Sequence, residues 1–201
     1  MYRSTLGLDR FLVETVLDLK SVGIYTIHAS IGLGILALTE VSVSAWRYPS
    51  LVTSLQANNY QAAKKQLLKF IIESIGSTII IGLTVMLIAP QLLAFFTSNK
   101  EYMHNINCFY WIVLGVIFYS LSMPMHYIIY GLKYDKLLAL IYAIALVVIL
   151  VMAKPLMLSL GVAGAGLTLG TALFTLALLR FLIGSILFMR MHTAATIPIT
   201  V

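Results

Sequence analysis

Residues 137–157, LLALIYAIALVVILVMAKPLM, decide how the rest of the chain is read. No charge interrupts the run before Lys154. About 20 apolar residues in an α-helix cross the hydrocarbon layer of a bilayer, and this run has that length. Working outward, runs at 23–46, 70–96, 106–132 and 160–189 have the same character, with short charged gaps between them. Lipid cannot hydrogen-bond a bare backbone, so such runs must close their own bonds as helices. The expected fold class is all-α, a polytopic transmembrane helix bundle with five full spans.

Composition agrees. The chain has 201 residues, of which 61% are hydrophobic and 10% charged, and its mean hydropathy is +0.99. A water-soluble domain has no way to bury that much apolar surface. Residues 1–192 are expected to form one helical bundle, and 193–201 a flexible tail. No signal peptide is evident, because Arg3, Asp9, Arg10, Glu14, Asp18 and Lys20 leave no clean apolar core before a small-residue cleavage site. Cys108 is the single cysteine, which excludes a disulfide framework or a cysteine metal site and suits a small filler inside a helix.

The net charge of +6 is a topology signal and not a nucleic-acid patch. Arg47, Lys64, Lys65, Lys69, Lys133, Lys136 and Arg190 all fall in gaps of one parity, whereas Lys20, Lys100 and Lys154 fall in the other. Lys and Arg accumulate on the cytoplasmic side. That rule puts the 47–69 and 133–136 connections and the C-terminus on the cytoplasmic side of a cell inner membrane, and the 18–22, 97–105 and 153–161 connections outside.

Residues 5–21 form a sixth, shorter helical segment. It reads either as the outer half of a transmembrane helix, with Arg10 and Glu14 paired at i,i+4, or as an amphipathic helix lying in the interface. The second helix is expected from Val22 to Trp46, where Trp46-Arg47-Tyr48 forms an interfacial anchor before Pro49. Residues 50–69 read as a polar helical connection turning near Asn58-Asn59. Pro124 should kink the 106–132 helix.

Ionisable side chains at membrane depth mark a cavity or a partner. Asp9, Arg10, His28, Glu40 and Arg47 meet that description. Glu40, Ser44 and Arg47 share one face on an ideal helix and would line a polar cavity; the alternative is that Glu40 snorkels or pairs quietly. His28 and His126 suit hydrogen-bonded interior histidines better than proton carriers. Arg180, in the last span, is expected to snorkel to the interface, although a guanidinium facing a cavity would suit phosphate. Glu73 reads as a solvated or paired boundary residue. Gly166 and Gly170, and Gly32 and Gly34, are small enough to let another helix approach closely. No Walker loop, zinc-protease helix or nucleophile elbow occurs, and the scattered carboxylates argue against an enzyme, a metal site or a bound cofactor.

Asp9-Arg10-Phe11-Leu12 followed by Ser21-Val22-Gly23-Ile24-Tyr25-Thr26 resembles a stretch of the polysaccharide flippases, the O-antigen, teichoic-acid and capsule exporters of the MATE-like superfamily. Tyr48-Pro49-Ser50-Leu51 with the basic stretch to Lys69 resembles that family's inner loop. Gly161-Val162-Ala163-Gly164-Ala165-Gly166 resembles the start of one of its late helices. The resemblance implies the second bundle of a two-bundle transporter, entered midway through a helix, with the first bundle a missing partner. It implies transport of an oligosaccharide linked to polyprenyl pyrophosphate. Arg10, Arg47 and His28 would bind that substrate, and Asp9 and Glu40 would couple ions. A multidrug or metabolite antiporter half, or a membrane-embedded enzyme of envelope polysaccharide synthesis, is the alternative.

Overall fold

The computed structural model describes residues 2–96 and 100–196, all as helices and short turns. Its elements are α1 (Tyr2–Val16), α2 (Leu19–Thr39), a π-helical turn (Glu40–Ser44), α3 (Ala45–Gln56), α4 (Tyr60–Phe96), α5 (Glu101–His104), α6 (Ile106–Leu121), α7 (Met123–Gly131), α8 (Asp135–Leu160) and α9 (Val162–Thr196). Leu19–Gln56, Tyr60–Phe95, Asp135–Leu160 and Val162–Met191 are each long and apolar enough to cross a membrane. The fifth span is α6 with α7, bent by 42° at Ser122. Pro124 in the first turn of α7 lacks the N–H that would carry the ladder through, so the expected kink is present. The all-α polytopic bundle stands.

Three expected boundaries move. The first helix ends at Val16, because Asp18 caps α2 by accepting the Ser21 N–H at 2.6 Å. That bond holds the Asp18 carboxyl below its usual range. At the other end of this span Pro49 does not stop the helix. The π turn has already widened the ladder just upstream, and the chain runs on to Gln56. The Leu19–Gln56 unit of 38 residues is about 57 Å long at roughly 1.5 Å per residue, nearly twice the hydrocarbon thickness. Its polar end and the start of α4 therefore stand clear of the apolar layer, joined by a turn in which Asn58 takes φ 53°. At the C-terminus α9 continues to Thr196, inside the stretch expected to be a tail. Residues 197–201 of that tail, and Thr97–Asn99 of the polar gap, lie outside the described residues.

α1 packs antiparallel along α2 and also touches α8; Val13 is fully buried. It is part of the bundle and not a helix lying apart from it. The helices alternate in direction. α2, α6 and α9 run parallel, with Gly32 on α2 against Ile112 on α6, and Gly166 and Gly184 on α9 against Cys108 and Met125. Lys20 and Glu101 pair at 2.5 Å at one end. Tyr60 meets Phe188, and Leu55 meets Gly131, at the other. The two charge classes separated by parity thus sit at opposite ends of the molecule.

Glycine explains the close α6–α9 seam. A Cβ on Gly166 would lie 2.4 Å from the Cys108 carbonyl oxygen, and one on Gly170 2.5 Å from that of Trp111. Only a hydrogen fits there, so α6 and α9 touch backbone to backbone. Cys108 is buried against that seam, as a small filler would be. Gly32 is close too, a Cβ there lying 2.7 Å from the Ile112 side chain, but Gly34 has nothing within 4 Å of an added Cβ and takes no part in a seam.

Candidate functional site

Most of the exterior is what lipid contact demands. α8 presents Leu140, Ile144, Val147, Leu150 and Val151, and α4 presents Ile72, Ile79, Ile80, Leu83 and Leu87. The outward faces of α1 and α2 break this rule. α2 exposes Gly23, Ser30 and Ala37 and half-exposes Thr26 and Gly34, with Leu19 and Leu38 outward at its two ends, while α1 exposes Arg10, Glu14 and Thr15 around Phe11. Such a wall gains little from lipid tails and suits a polar cavity or a facing bundle.

Behind the wall lies a buried carboxylate. Asp9 is 6% exposed and accepts the Tyr25 hydroxyl at 2.6 Å and the Arg10 backbone N–H at 2.8 Å. One turn further along α2, His28 is fully buried; its Nδ1 donates to the Ile24 carbonyl at 2.9 Å and its Nε2 has no partner. Asp9, Tyr25 and His28 thus occupy the inner face of the hairpin, and Arg10 its outer face. Arg10 and Glu14 are both exposed, and among the described residues no ion pair joins them.

The other expected site residues are dispersed. Glu40 is exposed, Ser44 is buried and Arg47 is half-buried, so the three do not share a face. The i→i+5 bonding of the π turn between them shifts the helix register. Arg47 is occupied by Glu73: its Nε donates at 2.5 Å and its Nη2 also reaches the same carboxylate. Glu73 is therefore the paired boundary residue, and its partner comes from the neighbouring helix.

Arg180 overturns its expected snorkelling. It is fully buried, about 27 Å of helix from Val162 and about 17 Å from Met191 at roughly 1.5 Å per residue. Its Nη2 donates to the hydroxyls of Tyr142 at 2.7 Å and Tyr119 at 3.1 Å. Nη1 reaches Ser122 Oγ at 3.4 Å, in the break between α6 and α7. The guanidinium carbon lies 4.3 Å from the Tyr119 ring centroid and 5.3 Å from that of Tyr142. Desolvated cation–π contacts supply about 2 kcal/mol each and bonds from a charged donor about 1.5–3. Together they offset much of the several kcal/mol that burying an ion costs. The phenols capture the head group at mid-helix, leaving it no reason to stretch toward water.

Tyr25, Tyr119, Tyr142 and Ser122 were not singled out from the sequence as partners. Tyr119 and Ser122 did carry a signal, standing one turn apart and just before Pro124. Tyr142 and Tyr25 come from other helices, and nothing local announces them. Among the described residues no group of three His, Cys, Asp or Glu side chains is placed to hold a metal ion.

Comparison with known proteins gives one finding. The family model described as MatE matches residues 49–156, from within α3 almost to the end of α8. No curated protein matches the chain. No solved structure matches it either.

Proposed function

The chain belongs to the MatE family of membrane transporters, and on that premise we propose that its cargo is an oligosaccharide linked to polyprenyl pyrophosphate. The observation that carries this reading is the run of small and polar residues, Arg10, Glu14, Thr15, Gly23 and Ser30, exposed on α1 and α2 where α4 and α8 expose mainly large apolar side chains. A sugar head group needs hydrogen-bonding surface at membrane depth, while its lipid tail can stay in the bilayer. The three stretches that resemble polysaccharide flippases include α1 and the start of α2, where that wall lies.

Arg10 is the cation best placed to meet the pyrophosphate, because it is exposed on the wall. Arg47 is held by Glu73 and would have to exchange it for the cargo, and His28 would need the hairpin to open. Asp9 would be the coupling group: a proton or cation arriving there competes with the Tyr25 hydroxyl. Glu40, exposed at the start of the π turn, would be a second coupling group. The wall would face another bundle, with cargo moving as the two rock about the site between them. Excess Lys and Arg at the 57–59 end would place that end, and the C-terminus, in the cytoplasm of a cell with this protein in its inner membrane.

Reconstituted vesicles loaded with a fluorescent polyprenyl-pyrophosphate oligosaccharide test the reading. Protein-dependent appearance of the sugar in the outer leaflet is expected. Vesicles that instead expel an amphiphilic dye and leave the sugar in place would identify an antiporter of drugs or metabolites.

A further inference from the structure

α4 changes character along one face. Tyr60–Phe96 is about 55 Å long at roughly 1.5 Å per residue, well beyond the roughly 30 Å of hydrocarbon. Ile72, Ile75, Ile79, Ile80, Leu83 and Leu87 are all exposed and form an apolar stripe. Before Ile72 the helix exposes Lys64, Lys65 and Lys69 instead, around Leu68, itself 58% exposed. At roughly 100° per residue, the three lysines fall within the arc of about 160° that the stripe sweeps. A lipid whose tails lie on Ile72 and Ile75 therefore has its head group beside the lysines.

These cations have no use inside the molecule. Glu73, one turn from Lys69, is taken by Arg47 of α3. Among the described residues no carboxylate forms an ion pair with Lys64, Lys65 or Lys69. Their level along the helix also fits. Trp46 is 81% exposed and adjoins Arg47, so it marks the edge of the apolar layer near Glu73, where indoles collect. Lys69 stands about 4.5 Å and Lys65 about 10 Å beyond Ile72 at roughly 1.5 Å per residue. The head-group layer is about 5–8 Å deep on each side. A lysine stem can lie along apolar surface such as Leu68 while its ammonium reaches a phosphate.

From the continuity of this unpaired basic cluster with the apolar stripe, we propose that the Lys64–Ile75 face of α4 binds acidic phospholipid in the leaflet on the Asn58 side. Lys64, Lys65 and Lys69 hold the head-group phosphate, and Leu68, Ile72 and Ile75 take the acyl chains. A soluble anion or an acidic peptide would satisfy the charge and leave the stripe below it uncovered. Each lysine beside an anionic leaflet contributes about fivefold in lipid affinity. The lipid site stands apart from the cargo, since it lies on α4 and the polar wall lies on α1 and α2.

Fluorescence quenching by brominated lipid tests it. Trp46 and Trp111, the two native indoles, are replaced by phenylalanine, and Ile72→Trp puts a single reporter three residues from Lys69. In phosphatidylcholine vesicles given a rising share of dibrominated phosphatidylglycerol, quenching reports which lipid sits there. The acidic lipid should be preferred at least tenfold over dibrominated phosphatidylcholine. Lys64→Gln, Lys65→Gln and Lys69→Gln together should abolish the preference, and arginine at the same three exposed positions should keep it. Leu87→Trp in the same background, at the far end of the stripe, should show none. Equal quenching by the two lipids at Ile72→Trp, or a preference that survives the triple glutamine change, would overturn the site. So would an equal preference at Leu87→Trp. Displacement of the brominated lipid by inorganic phosphate or polyglutamate would assign the lysines to a soluble anion or an acidic peptide, and would overturn it too.

Discussion

Arg180 on α9 and Tyr142 on α8 are joined by a 2.7 Å hydrogen bond inside the bundle, with the guanidinium also lying over the phenol ring. One side chain thereby ties two spanning helices to the break in a third. Tyr142→Phe keeps the ring and removes the oxygen. Unfolding in detergent should then show a loss of about 1.5–3 kcal/mol, the range for a bond to a charged donor. An unchanged unfolding curve would mean that the Tyr119 and Ser122 bonds and the cation–π contacts hold Arg180 without the Tyr142 hydroxyl.

Two glycines allow a matched comparison. Gly170→Ala drives a methyl group to 2.5 Å from the Trp111 carbonyl oxygen, and backbone cannot swing aside as a side chain can. Overpacking of this kind costs about 1–3 kcal/mol. Gly34→Ala meets nothing within 4 Å and gains helix propensity of up to about 1 kcal/mol. The expected order of stability is therefore Gly34→Ala at or above the parent and Gly170→Ala well below it, read from thermal unfolding. The reverse order would contradict the α6–α9 seam.

The Arg47–Glu73 pair joins α3 to α4 near the basic end, with side chains 31% and 41% exposed. Exposed pairs contribute about 0–1 kcal/mol. Glu73→Gln should therefore leave stability within about 1 kcal/mol of the parent, and Arg47→Glu with Glu73→Arg should restore what either single change loses. Global unfolding of Glu73→Gln would show that the pair is structural in a way its exposure does not suggest.

Sidedness can be read with thiols, because the native Cys108 is buried and gives little background. A membrane-impermeant maleimide should label Asn58→Cys from one face of a sealed membrane and Lys100→Cys from the opposite face. Excess Lys and Arg at the Asn58 end predicts that this residue reacts only after the cytoplasmic side is opened. Labelling of both from one side would refute the antiparallel hairpin of α2–α3 and α4.

The spans were legible because lipid imposes a length and an apolar composition that few other environments do. The run at 70–96 lies within α4, which starts ten residues earlier at Tyr60, the run at 106–132 matches the bent α6–α7 pair, and Pro124 announced the bend. The helix that passes Pro49 was not legible, since a proline reads as a stop unless the π turn upstream is known. Arg180 was misjudged for a related reason. Snorkelling is decided by what surrounds the head group, and Tyr119 and Tyr142 reach it from helices distant in sequence. The face shared by Glu40, Ser44 and Arg47 assumed an unbroken α-helix and failed where the bonding changed. Asp9 and Arg10 were singled out together, but only packing reveals that they point to opposite sides of α1.

The outward wall of α1 and α2 is the centre of the functional account, and Ser30 lies in the middle of it, exposed and far from the packed seam. If the cargo is the proposed lipid-linked oligosaccharide, cells expressing the protein as Ser30→Cys should export surface polysaccharide normally and lose that export at least tenfold on treatment with a bulky thiol reagent. The same reagent should have no effect on a Val147→Cys control, whose side chain faces away on α8. Export that continues unchanged after Ser30→Cys is fully labelled would contradict a cargo path along this wall.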